Sequence, residues 1–196
     1  MGLSRPNLGP MRTPTEEDLR ILSWQLGRNP RGVRAVQPCP YGFPQVILND
    51  PFLRPAFPSG ERARDPMEPM PTIFWLTCPF LVGEVSKLES AGGVKRYERL
   101  LENDEGLFRE YLAAHQAYRE MRLSLLSPKE REYAKKKGLC SLLESGIAGM
   151  MNPKRVKCLH AQLAHFLATG SNPIGALAAQ ELKVLACPDR RCAQAL

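Results

Sequence analysis

The sequence predicts an α+β fold: a small antiparallel sheet of about three strands packed against a mostly helical C-terminal two-thirds. Three observations carry that expectation. β-branched and aromatic runs gather ahead of Cys78, apolar spacings of three and four dominate after Pro79, and prolines punctuate the boundary between the two. The 196 residues are enough for one domain with a real core. Hydrophobic residues at 43% and charged residues at 24% exclude a wholly disordered chain.

In chain order, residues 1–13 read as a flexible arm and 14–186 as a single domain. Thr15, followed by Asp18, is a weaker form of the capping box. It opens a helix with Leu19, Leu22 and Leu26 on its apolar side, stopped by Gly27. Val33–Val36 and Gln45–Leu48 read as short strands, joined by a turn over 38–44 too rich in proline for regular structure. Residues 50–71 carry six prolines and read as a long loop. Thr72–Leu76 is the strongest strand signal. Pro79 suits a first helical position, and Leu81, Val85 and Leu88 keep helical spacing up to Gly92-Gly93. Asn103 is placed to cap a long helix whose stripe is Leu107, Tyr111, Ala114, Tyr118, Met121 and Leu125. Ser127-Pro128-Lys129-Glu130 is a capping box for the next helix. Asn152-Pro153 starts a helix to about Thr169, Asn172-Pro173 one to about Ala186, and 187–196 read as a frayed tail.

The formal net charge of +7 favours anionic partners, a small molecule or a protein. Nucleic acid ranks last, because the charges form no stripe and no aromatics interleave with them. Thr72–Val82, the longest largely apolar stretch, is roughly half a membrane span. The first residues hold no apolar leader, so the expected setting is cytoplasmic and the six cysteines are expected as reduced thiols.

Three segments fit a known pattern: Cys39–Pro44; Pro71–Pro79 leading into Val85–Glu89; and Arg155–Ala161 followed by Asn172–Gly175. Over residues 20–178 or so the chain resembles a bacterial family called domain of unknown function 501. The resemblance implies a cytoplasmic bacterial protein and brings no activity, so no catalytic residue is carried over. It singles out Cys39, Cys78, Cys158 and His160, which lie inside the matching motifs.

Those four residues are the candidate metal ligands. Cys78 before Pro79 would face free N–H groups and the positive end of a helix dipole, which favours a thiolate; the alternative is a small buried hydrophobe. Cys39 sits in a turn beside a strand end. Cys158 and His160 are two apart in the expected helix and so point about 200° from each other. On a regular helix one ion could not bind both, and His160 reads as a core histidine unless the helix is distorted there. Cys39, Cys78 and Cys158 with a fourth ligand would suit zinc or an iron–sulfur cluster. The spacing Cys187 to Cys192 could clamp zinc but falls in the expected tail without a partner pair. His115 is either a fourth ligand or general base, or a histidine at the core edge.

Motifs of known enzymes are absent, and the sequence discloses no reaction. The leading expectation is therefore a metal- or cluster-binding protein. The competitor is a non-catalytic module for a phosphate-bearing ligand or partner protein, built on Asn152, Lys154, Arg155 and Lys157. Cations at a helix start oppose its dipole unless an anion compensates.

Overall fold

Strands β1 (Val33–Pro38) and β2 (Pro44–Asn49) form an antiparallel hairpin, and β5 (Phe74–Leu76) adds to the other edge of β2 in the order β1-β2-β5. This is a computed structural model, and it describes residues 10–53 and 68–196. Residues 1–9 of the expected arm and 54–67 of the expected loop lie outside the described residues. The ends of that loop pair as two short strands, β3 (Phe52–Leu53) and β4 (Glu68–Pro69).

Alternation along β2 sends neighbouring side chains to opposite faces. Val46 joins Phe74 and Leu76 in the main core, whereas Ile47 packs with Val36 and Leu22 of helix α1 (Glu16–Leu26). Thr15 and Asp18 complete a reciprocal capping box on α1, and Gly27 ends it in the left-handed conformation. Asp18 is buried because Arg12 pairs with it, and Arg12 also bridges to the Val36 backbone. The end of the expected arm is thus tied down.

Seven helices follow, of which α7 lies directly on the other face of the sheet: α2 (Pro79–Ser90), α3 (Gly93–Asn103), α4 (Glu105–Ser124), α5 (Pro128–Lys136), α6 (Cys140–Leu143), α7 (Leu159–Thr169) and α8 (Pro173–Leu182). The architecture is the α+β arrangement expected, a small antiparallel sheet with a helical C-terminal part. Asp104, not Asn103, caps α4, because α3 occupies 93–103. The α4 stripe delivers Tyr118, whose hydroxyl accepts the Ile73 N–H at 2.7 Å. One turn on, the fully buried Arg122 donates to the carbonyls of Pro71, Leu142 and Ser145.

Helix α7 is buried on both faces, as its two apolar sides predict: Leu159, Ala161, Leu163, His165, Leu167 and Ala168 are all enclosed. It touches β5, α2 and α8. Its start, however, is Leu159 rather than Asn152, and residues 151–158 are turns and irregular chain. Helix α8 ends at Leu182. The expected frayed tail is instead packed: Cys187 and Cys192 are buried, and a 3-10 helix over Arg191–Ala195 lies against α1. Among the described residues, no helix is long and apolar enough to cross a membrane.

Candidate metal centre

Val82, Ser86 and Glu89 follow one another at spacings of four and three, so they share one face of α2. That face meets the start of α7. Close approach is possible because Gly93 carries no side chain: a Cβ there would lie 3.1 Å from Leu159 Cδ1 and 2.7 Å from the Leu88 carbonyl. Cys158 precedes α7 in a left-handed conformation, φ 50°, as its N-cap. Leu159 N–H donates to Glu89 Oε1 at 2.5 Å, locking the helix start onto α2.

The bend at Cys158 joins what a regular helix would separate. Its sulfur, a His160 ring nitrogen and a Glu89 carboxylate oxygen lie mutually within 4.8 Å. Among the described residues this is the one such group of three. His160 Nε2 is 3.1 Å from the Val82 carbonyl and 3.3 Å from Ser86 Oγ. Ser86 spends its own hydrogen on the same carbonyl, at 2.8 Å. Nε2 therefore carries the proton, and it donates to these oxygens. Nδ1, 3.3 Å from Glu89 Oε1, is the nitrogen left to face the group.

Electrostatics follow from that arrangement. Burial alone would raise the Cys158 thiol, but hydrogen bonds from His160 and the Ala161 N–H outweigh it and hold it below its ordinary value. The Cys158 hydrogen bond, against partial burial and helped by Glu89 and the Val82 carbonyl, raises His160 to about 8. The space between Nδ1, the Cys158 sulfur and the Glu89 carboxylate is the place a metal ion would take. The donors fit such an ion: one sulfur, one imidazole nitrogen, one carboxylate oxygen, and a second-sphere carbonyl orienting the ring. Three protein donors leave a fourth position free, and Cys158 is exposed as a residue although its sulfur is partly enclosed.

Of the predicted ligands, Cys158 and His160 meet, and Cys39 and Cys78 do not join them. Cys78 caps the opposite end of α2 from Glu89, about 16 Å along the axis at 1.5 Å per residue. The expected convergence of Cys39, Cys78 and Cys158 is corrected on that ground, and one sulfur falls short of the thiolates an iron–sulfur cluster takes. His115 is also elsewhere. It is buried, accepts the Ile147 N–H at 3.1 Å, and is lowered by burial to about 4.

The anion site is corrected too, because no helix starts at Asn152. Asn152 Oδ1 accepts the Lys154 N–H in a local turn, and Arg155 pairs with Glu98 at 3.2 Å. Lys154 shares a shallow depression with Glu102 and Glu105, and Lys157 lies in the irregular chain before α7. Lys154 and Arg155 therefore face the acidic residues Glu98, Glu102 and Glu105 of α3 and the start of α4.

Glu89 was not foreseen as a ligand. Its only sequence signal was its helical spacing from Val82 and Ser86, inside the motif Val85–Glu89. A family model described as protein of unknown function (DUF501) matches residues 35–180, and the chain belongs to that family. Comparison with curated proteins and with solved structures finds no match.

Proposed function

We propose that this family member binds one divalent transition-metal ion, zinc by the chemistry of its donors, through Glu89, Cys158 and His160. The observation that carries the reading is the His160 ring, pinned by Val82 and Ser86 so that Nδ1 faces a thiol and a carboxylate. Three protein donors with an open fourth side match zinc sites that act on a bound ligand rather than closed structural ones. Zinc in such a site polarises whatever occupies the fourth position. A cytoplasmic setting, which keeps thiols reduced, suits the site.

The test is metal content of protein purified without oxygen, compared with Cys158→Ser, His160→Gln and Glu89→Gln. Each variant should hold one equivalent less than wild type while keeping its circular dichroism spectrum. Unchanged content in folded variants would overturn the reading.

One observation favours a second reading of the same residues. Cys158 at the N-terminus of α7, paired with His160, has the lowered thiol of a nucleophile. In chelator, its alkylation rate should rise with pH through an inflection below the ordinary thiol value, and His160→Gln should move that inflection up. A rate that instead depends on added zinc alone favours the metal site.

A further inference from the structure

Helix α1 covers only part of the sheet face it packs on. Alternation puts Ile47 and Asn49 of β2 on that face, with Trp75 of β5 paired beside Ile47. The helix stops at Leu26, left-handed Gly27 turns the chain away, and residues 28–31 pass beside the uncovered end. They leave a partly enclosed cavity of about 20 Å³. Leu26, Ile47 and Trp75 are among its apolar walls, and no acidic residue lines it.

The polar side chains of this lining are donors in want of an acceptor. Asn49 is 3% exposed, and its Nδ2 has no hydrogen-bond partner among the described residues. Buried amide groups are ordinarily paired, so the partner of this one is not protein. Asn29, the other amide of the lining, has its oxygen engaged by Ser23 at 3.4 Å. Arg28 holds its guanidinium carbon 5.7 Å from the centre of the Trp75 ring and makes no ion pair among the described residues. Arg31 reaches only Glu68, at 3.6 Å, a loose pair in which the Glu68 side chain is 65% exposed.

Size selects the partner. A cavity of about 20 Å³ admits one water-sized group, a single oxygen rather than a ring. A planar carboxylate meets that limit: one oxygen enters to accept from Asn49, and the other stays at the opening for a guanidinium fork. A phosphate would bring further oxygens against walls that donate nothing, since the Trp75 indole N–H is spent on the Thr72 carbonyl at 2.9 Å.

We propose that this cavity binds a carboxylate-bearing ligand, a small organic acid with an apolar body, through Asn49, Arg28 and Arg31. The carboxylate supplies the acceptor that Asn49 lacks, and the apolar walls take the carbon beside it. The site shares no residue with the α2–α7 centre and needs no metal there. It also gives the net positive charge a local use, at the end of α1 instead of at Lys154 and Arg155.

Propionate is the probe, titrated into the full chain in chelator so that no metal at the α2–α7 centre competes for it. The readouts are the Asn49 side-chain amide and the Trp75 indole N–H in a nitrogen–proton correlation spectrum, the former assigned by its loss in Asn49→Leu. Propionate should move both signals saturably, whereas chloride or phosphate at matched ionic strength should not. Arg28→Gln/Arg31→Gln, changed only at exposed side chains, should bind propionate about tenfold more weakly. Glu68→Gln should bind it more tightly, because a competing carboxylate is gone. Asn49→Leu keeps the shape of the side chain and should lose the response at Trp75; if it does not fold, the double arginine variant decides alone. An Asn49 amide that contacts water and answers to no anion would assign the cavity to an ordered water only and overturn the proposal. So would an equal response to chloride or phosphate, or a propionate affinity that the arginine substitutions leave unaltered.

Discussion

Lowering the pH from 6.5 to 5 should destabilise the fold through two core histidines. His115 and His165 are buried, and burial lowers them to about 4 and about 3; the charge of His115 adds to the effect on His165. Both folded-state values lie below the ordinary 6.5. Their neutral rings therefore stabilise the fold above pH 6.5, and that stability is lost as pH falls toward the folded values, because the unfolded chain takes up protons first. Each histidine contributes about 1.4 kcal/mol per pH unit. Because the unfolded rings are only half protonated at pH 6.5, the full slope develops below it, and over one and a half units the pair costs about 3 kcal/mol, a large share of an ordinary domain's 5–15 kcal/mol. His160 acts in the opposite sense. Its folded value of about 8 lies above 6.5, so its contribution is complete below 6.5 and is lost as pH rises through 8. Stability of metal-free protein should therefore peak between about pH 6.5 and 7. Urea denaturation followed by circular dichroism at pH 5, 6.5 and 8.5, in chelator, measures it. His115→Gln and His165→Gln should each remove about half of the acid limb. Equal stability at pH 5 and 6.5, or an acid limb unchanged in both variants, would refute the reasoning.

Gly175→Ala should cost about 1–3 kcal/mol in thermal unfolding, since its Cβ would meet the Gln162 carbonyl oxygen at 2.2 Å and Phe166 Cβ at 2.6 Å. Ala161→Asp would put an unpaired carboxylate on an enclosed face of α7 and should cost about 3 kcal/mol or more, read by urea denaturation. Ser127→Ala removes the reciprocal cap of α5 and should cost about 1 kcal/mol by the same measurement.

Features set by neighbouring residues were legible in the sequence. The Thr15–Asp18 box, Cys78 before Pro79 and Ser127 before Pro128 each define a helix start within one turn of chain, and each is where a helix starts. Helix α3 is not among the expected elements, although Val94, Tyr97 and Leu101 keep spacings of three and four, with Tyr97 and Leu101 buried. The start of α7 was not legible, because Asn152-Pro153 has the local chemistry of a helix start while distant groups decide the outcome. Glu98 accepts the Val156 N–H, Arg155 pairs with the same carboxylate, and the chain turns left-handed at Cys158 before Glu89 takes the Leu159 N–H. The same bend explains the site. A straight helix sends Cys158 and His160 apart, and only tertiary contacts with α2 bring them together, so both residues could be suspected while their partnership could not. Cys187 and Cys192 read as tail residues because nothing local reveals that Gln25 and Gln45 hold that segment in place.

The backbone at Cys158 places the sulfur and the stability of the chain under opposing selection. A side chain held at left-handed φ raises the folded state by roughly 1–2 kcal/mol, and glycine removes that penalty. Cys158→Gly should accordingly be more stable than Cys158→Ala by about 1 kcal/mol, although both lack the thiol. Stability alone would drift this position toward glycine, a short mutational step from cysteine. A sulfur that persists there does so against the conformational preference of its own backbone, so a relative carrying glycine at this position would be a natural experiment in which the fold remains and the chemistry of the α2–α7 junction has been released.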